Sequence, residues 1–297
     1  MGDKKLVKVY LYAIFAMIFW SLTFVCYDLL FELNFKPITI VLIRLFLSSI
    51  VLFSVLLIIN KYERIKREDY TSFLLLASFE PFFYFIGESY GIQMTSPAMA
   101  SIIISTIPLF APIFGFYVFK ERITSKNILG IAISTVGLII LTVKSDFTLV
   151  APLKGLAFLF LAVASTMFYG IYLKKLSVKY TPMTIVAFQN TIGIFYFLPL
   201  FFLFDFTSIK ELVFTQNAIV SLFYLALFGS SLAFILYTIV IREIGMAKAN
   251  VFTNIIPIFT AIFSYFIVNE QFTVKKVLGI TVILIGLFLA QMKSKKN

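Results

Sequence analysis

Apolar runs of about 20 residues follow one another along almost the whole chain, broken only by short polar stretches. A bilayer core of about 30 Å needs roughly that many residues per helix. The pattern predicts ten spans, near residues 9–29, 38–59, 71–91, 98–119, 127–144, 155–174, 182–204, 217–241, 248–268 and 277–292. Pro37 and Pro182 stand where a helix begins, the position that proline tolerates best. The predicted class is an all-α integral membrane protein with the lipid bilayer as its solvent.

The polar stretches give an orientation. One side collects Lys4, Lys5 and Lys8, then Lys61, Arg64, Lys66 and Arg67, then Lys120, Arg122 and Lys126. Lys174, Lys175, Lys179, Arg242, Lys248, Lys293, Lys295 and Lys296 fall there too. The other side has only Lys36, Lys144, Lys154, Lys210, Lys275 and Lys276. Basic residues are retained on the cytoplasmic side, so both termini are expected there. The opening MGDKKLVKVY has the outline of a signal peptide, but the apolar run after it is too long and lacks a small-x-small cleavage site. It reads as a retained first helix. Leu6 stands where a myristoylation motif requires Ser or Thr.

Composition agrees with this class and narrows the chemistry. The chain is 61% hydrophobic and 13% charged with 37 Phe, more apolar surface than a soluble domain could hide. A net charge of +11 could suggest nucleic acid, but the basic residues lie in clusters between apolar runs, so no nucleic acid partner is expected. There is no His, and Cys26 is the only cysteine. That excludes an intrachain disulfide, His/Cys metal sites and His-based proton relays, and no cofactor is implied.

The sequence is also written twice. IPLFAPIFGFYVFKERITSKNILGIAISTVGL (107–138) matches IPIFTAIFSYFIVNEQFTVKKVLGITVILIGL (256–287). Pro108 falls on Pro257, Glu121 on Glu270, Gly130 on Gly279 and Gly137 on Gly286, and PITIV at 37–41 meets PMTIV at 182–186. About a third of the aligned positions from 96 to 140 are identical, more than shared hydrophobicity would give. The chain divides into residues 1–146 and 147–297 with five helices each. Five is odd, so the second copy must be inserted upside down. Inverted repeats of this kind build transporters, with substrate near the midplane between them.

At this point the chain resembles the EamA family of the drug/metabolite transporter superfamily over nearly its whole length. The likeness rests on the two five-helix copies, a proline in the middle of helices four and nine, an acid ending each of those helices (KERIT, NEQFT) and a Leu-Gly opening helices five and ten. The usual Trp-Gly pair of the first helix is Trp20-Ser21 here. Membership implies a carrier of the bacterial inner membrane, often an exporter of amino acids or related metabolites. It also implies a site bounded by helices one, three, four, six, eight and nine.

Candidate residues stand beside plainer readings. At about 100° per residue, Ala98, Ser101, Ser105, Pro108 and Pro112 share one face of helix four, and Ala247, Asn250, Asn254, Pro257 and Ala261 share one face of helix nine. Small residues there read equally well as a packing face. Asn250 and Asn254 lean towards function, because an amide in a membrane needs a partner. Freed carbonyls before the prolines are tolerated where buried or lining a wet cavity. Glu121 and Glu270 occur in both copies, which suggests an architectural task such as bonding the N–H groups that open the next helix. Gly130, Gly137, Gly279 and Gly286 read as packing notches, used either within one chain or between the protomers of a homodimer.

Three charges occur only once. Under the repeat, Glu80 falls on Gly229, Glu88 on Tyr237 and Arg44 on Gln189. Glu80, Tyr84 and Glu88 share one side of helix three, with Pro81 placed to bend it. Arg44 and one glutamate could simply neutralise each other, yet one arginine cannot satisfy both acids. An ionisable residue inside a membrane is a functional candidate by default. The spare carboxylate could bind a substrate amine or carry a coupling proton. Trp20, Tyr84 and Tyr237 join the set by their depth in helices that the resemblance places around the cavity, and Gln189 and Asn190 of helix seven are similar candidates.

The function expected is efflux of a small metabolite, such as an amino acid, by alternating access. Export of drug-like cations is the alternative, since acids facing aromatics also suit cations. A membrane enzyme is disfavoured because the loops hold no clustered acids or nucleophile-base arrangement. A channel or sensor is disfavoured by the inverted repeat.

Overall fold

The computed structural model describes residues 3–110, 124–143, 149–271 and 273–291. Pro112, Glu121, the far end of the fourth span and Lys144 lie outside them. Among the described residues the chain is helical, apart from an isolated bridge between Val143 and Leu149. The helices are α1 (Asp3–Glu32), α2 (Pro37–Ile58), α3 (Tyr70–Ala77), α4 (Tyr84–Met94), α5 (Pro97–Ile104), α6 (Ser125–Thr142) and α7 (Leu153–Ser177). They continue with α8 (Pro182–Leu200), α9 (Gln216–Tyr224), α10 (Ala233–Ile244), α11 (Met246–Ala249), α12 (Ile256–Ile267) and α13 (Val274–Gln291). Among the described residues, 7 helical stretches, some running on through π or 3₁₀ turns, are long and apolar enough to cross a membrane, with Pro97–Phe110 a shorter apolar stretch beside them. Large apolar side chains such as Leu203, Phe266 and Phe288 stand on the outer surface, where a bilayer rather than water must meet them.

Local chemistry sets the helix starts. Pro37, Pro97 and Pro182 occupy the first turn, and Ser96, Thr124, Thr181 and Thr215 each accept a backbone N–H at the helix entry. The interruptions repeat too. A π turn, Ser78–Phe83, joins α3 to α4, and another, Leu225–Leu232, joins α9 to α10. The repeat places these turns on each other. In the first, Glu80 is extended (φ −147°, ψ 114°), the conformation a following proline favours. Pro108 and Pro257 do not kink continuous helices. The helix ends at Ile104 in one copy, runs as a 3₁₀ turn over Asn250–Ile255 in the other, and each proline then opens a new stretch.

Equivalent helices of the two halves pack antiparallel. Glu63, beyond the end of α2, accepts from the N–H (2.9 Å) and hydroxyl (2.8 Å) of Thr181 at the start of α8. Asp205, beyond the end of α8, accepts from the N–H (2.9 Å) and hydroxyl (3.0 Å) of Thr39 at the start of α2. Glu270, after α12, accepts from the Ser96 hydroxyl (2.8 Å) and the Ala98 N–H (3.4 Å) at the start of α5. Its architectural task is thus confirmed in kind but corrected in target. It caps a helix of the other half, while Lys276 Nζ of the next helix donates to it at 3.0 Å.

The glycine notches meet each other inside the chain. A Cβ added to Gly137 would lie 2.7 Å from the Ile283 nitrogen, and Ser134 Oγ donates to the Ile283 carbonyl at 3.1 Å. The α6–α13 contact therefore uses within one chain the surfaces that a homodimer would otherwise need. Lys5 pairs with Glu243 at 2.8 Å and Lys179 with Asp69 at 2.7 Å, which brings the N-terminus and the loops after α2, α7 and α10 to one end of the bundle. These are the loops that the charge pattern assigned to one side.

Candidate substrate and coupling site

Arg44 is drawn into the bundle from α2 and is 1% exposed. A guanidinium there needs every donor met. Nε donates to Ser230 Oγ at 2.6 Å, Nη1 donates to the Tyr27 hydroxyl at 3.0 Å, and the group lies 4.2 Å from the Phe85 ring centroid. Nη1 is 3.7 Å from Glu88 Oε2. Room for it comes from Gly229, where an added Cβ would stand 3.1 Å from Nη2 and 2.7 Å from the Thr23 side chain. The position that carries Glu80 in one copy thus carries, in the other, the glycine that seats Arg44.

The π turn around Gly229 is held from both sides. Trp20 Nε1 donates to the Gly229 carbonyl at 3.1 Å. Asn190 Nδ2 donates to the Ser230 carbonyl and to Ser48 Oγ, both at 2.8 Å, and Ser48 and Ser231 share a 2.6 Å hydrogen bond. Asn190 therefore serves by fixing the arginine's surroundings.

The two acids differ. Glu88 Oε1 accepts from the Tyr84 hydroxyl at 3.2 Å, and its other oxygen faces Arg44. Glu80 is buried, yet no donor among the described residues reaches its carboxyl. On the opposite wall the Tyr237 hydroxyl donates to Asn250 Oδ1, and Asn250 Nδ2 has no acceptor among the described residues. Glu80, Glu88, Arg44, Tyr84, Trp20, Tyr237 and Asn250 line one cavity, together with Thr23, Phe85, Phe234 and Thr253. Its volume is ≈ 40 Å³, roughly room for two or three waters. The bundle is therefore contracted around the site.

Four sequence candidates stand apart from that cavity. Ser101 and Ser105 turn their hydroxyls back to the Ala98 and Ile102 carbonyls at 2.8 and 2.7 Å, which consumes them locally. Gln189 is fully buried and accepts from the Tyr169 hydroxyl at 3.3 Å, so a tyrosine of the preceding helix meets it as Tyr27 meets Arg44. Asn254 is buried but does not line the cavity. Tyr27, Thr23, Phe85, Phe234 and Ser230 went unread in the sequence. The recurrence of a tyrosine in the first helix of each half, bonded to a polar residue of the second, was the signal available for Tyr27.

The sequence profile of the EamA-like transporter family matches residues 7–143 and again residues 153–292. The chain belongs to the EamA-like transporter family. Several proteins are similar to it over two thirds or more of its length. An uncharacterized transporter of Archaeoglobus fulgidus is 26% identical over 279 residues, 93% of this chain and 95% of the relative. The uncharacterized transporter YetK of Bacillus subtilis is 29% identical over 86% of this chain and 78% of its own. The WAT1-related protein At3g02690, chloroplastic, of Arabidopsis thaliana is 27% identical over 67% of this chain and 49% of its own. A crystal structure shares the fold with a TM-score of 0.68 at 14% identity, over 95% of this chain and 98% of that one. The chain is an integral membrane protein of a transporter family.

Proposed function

We propose that the protein is a secondary carrier that exports a small zwitterionic metabolite, an amino acid or a close relative, by alternating access. Its ten helices form two inverted five-helix repeats, residues 1–146 and 147–297, in the inner membrane of a bacterium with both termini cytoplasmic. The antiparallel pairing of α2 with α8, and of α6 with α13, supports the inversion. The contracted cavity supports a cycle in which substrate binds only when the halves part.

One observation carries the substrate reading. The cavity offers a carboxylate that forms no ion pair among the described residues, Glu80, beside Glu88, whose Oε2 accepts no hydrogen bond, and it offers an amide donor without an acceptor among them, Asn250 Nδ2, between aromatic walls. An ammonium and a carboxylate on one small molecule would satisfy both. Glu88 accepts from Tyr84 on Oε1 and holds only a 3.7 Å ion pair with Arg44 on Oε2, whereas Glu80 has neither contact among the described residues, which makes Glu80 the first choice to bind an amine or carry a coupling proton.

Flux in proteoliposomes tests this, with a panel of amino acids and organic cations, with and without an imposed pH gradient. Saturable amino-acid flux that responds to the gradient and is lost in Glu80→Gln is the expected result. Flux of cations alone would replace the substrate class with drug-like cations. Amino-acid flux unchanged in Glu80→Gln and in Asn250→Ala would overturn the site.

A further inference from the structure

A second recess opens on the outer surface of the bundle, away from the central cavity. It runs between α3 and α8 under the loop that follows α2, with a volume of ≈ 450 Å³. Tyr62, Arg64 and Tyr70 stand at its mouth, and Leu74, Phe188 and Ile192 line it below. Tyr62, Tyr70 and Leu74 are 47, 52 and 46% exposed, so the recess faces outward along its length. Its deepest lining residue on α8, Ile192, lies about 15 Å below the helix start at Pro182 at 1.5 Å per residue. That is about half of the roughly 30 Å hydrocarbon core, the depth of one leaflet.

The recess is graded as an amphiphile would require. Tyrosines at its mouth match the headgroup level, where an amphipathic ring is most at ease. Below them only apolar side chains line it. Charge at the mouth is one-sided. The acids of the same loop are paired elsewhere: Glu63 accepts from Thr181, buried Asp69 pairs with Lys179 at 2.7 Å, and Glu68, though exposed, faces Lys179 at 3.5 Å. Arg64 forms no ion pair with any described residue. An uncompensated guanidinium at the headgroup level calls for an anion, and its planar fork suits a phosphate.

We propose that this recess is a binding site for one anionic phospholipid, its phosphate on Arg64 and one acyl chain laid against Leu74, Phe188 and Ile192. The site is separate from the transport cavity, and the proposal does not depend on the substrate. The bound lipid would brace the loop that carries Glu63 and Asp69 against the second half.

The test uses the full-length protein purified in detergent. Native mass spectrometry and thermal melts are recorded with phosphatidylglycerol or phosphatidylcholine of identical chains. Phosphatidylglycerol is expected to be retained more strongly and to raise Tm more. Arg64→Gln is expected to weaken that preference about five-fold, the equivalent of the ~1 kcal/mol a basic residue contributes at an anionic surface. Ile192→Trp, which fills the recess, is expected to lower retention of both lipids. Lys61→Gln, a cation of the same loop outside the recess, is expected to leave the preference intact. Equal retention of the two lipids by the unaltered protein, or equal losses in Arg64→Gln and Lys61→Gln, would overturn the proposal.

Discussion

Arg44 Nη1 and Glu88 Oε2 face each other at 3.7 Å inside the bundle, and Glu80 has no such partner. Removing one member of a buried ion pair strands the other, at a cost of about 3–5 kcal/mol. Arg44→Gln and Glu88→Gln should therefore both lower the Tm of the purified protein sharply. Glu80→Gln strands no cation and should leave Tm unchanged or raise it while reducing flux. Equal destabilisation by the two glutamine variants of the acids would show that Glu80 belongs to the same pair.

Two capping acids serve opposite ends of the bundle, Glu63 at Thr181 and Asp205 at Thr39. Loss of a helix cap costs about 0.5–2 kcal/mol. Glu63→Ala and Asp205→Ala should each lower Tm modestly. The double variant should lose close to the sum, because sites this far apart act independently. A double variant no worse than either single one would mean that the two caps open together.

Asp69 lies in the turn before α3, and the hydrogen bond from Lys179 holds its carboxyl below the usual aspartate range. Stability from such a group is present above its unfolded pKa, about 3.9, and is lost as pH falls through the lowered folded value. The Tm difference between the unaltered protein and Asp69→Asn should be full at pH 6 and shrink below about pH 4. Thermal melts across pH 3–7 check this, and a constant difference would refute it.

Gly137 sits where an added Cβ would meet the Ile283 backbone nitrogen at 2.7 Å, so its neighbour cannot yield as a flexible side chain would. Gly137→Val should push α6 from α13 and cost about 1–3 kcal/mol, the usual range for overpacking. Light scattering should show the same oligomeric state before and after. A change of oligomeric state without a drop in Tm would place this glycine at an interface between protomers.

The sequence made the spans legible because each is a long apolar run, and it made the duplicated acid legible as structural because it occurs twice. It hid the target of Glu270, since Ser96 is 174 residues away and no local pattern links them. Arg44, Glu80 and Glu88 stood out by the cost of charge in hydrocarbon. Which acid answers the arginine depended on the extended Glu80 in its π turn, which departs from the regular helical wheel. Ser101 and Ser105 lay on the expected face, yet their hydroxyls bond to their own helix, a choice that spacing alone does not reveal. Phe85 and Phe234 carried no signal because an aromatic ring is unexceptional among so many.

Glu63 and Asp205 each begin a helix in the half of the molecule to which they do not belong. Neither half is self-sufficient: released alone, each would keep its acids and lose the carboxylates that start its own helices. A gene carrying only one half would need a second product to supply them. The fusion of the two into one chain fixes that partnership at one to one, and mutations that weaken one half are felt first in the other.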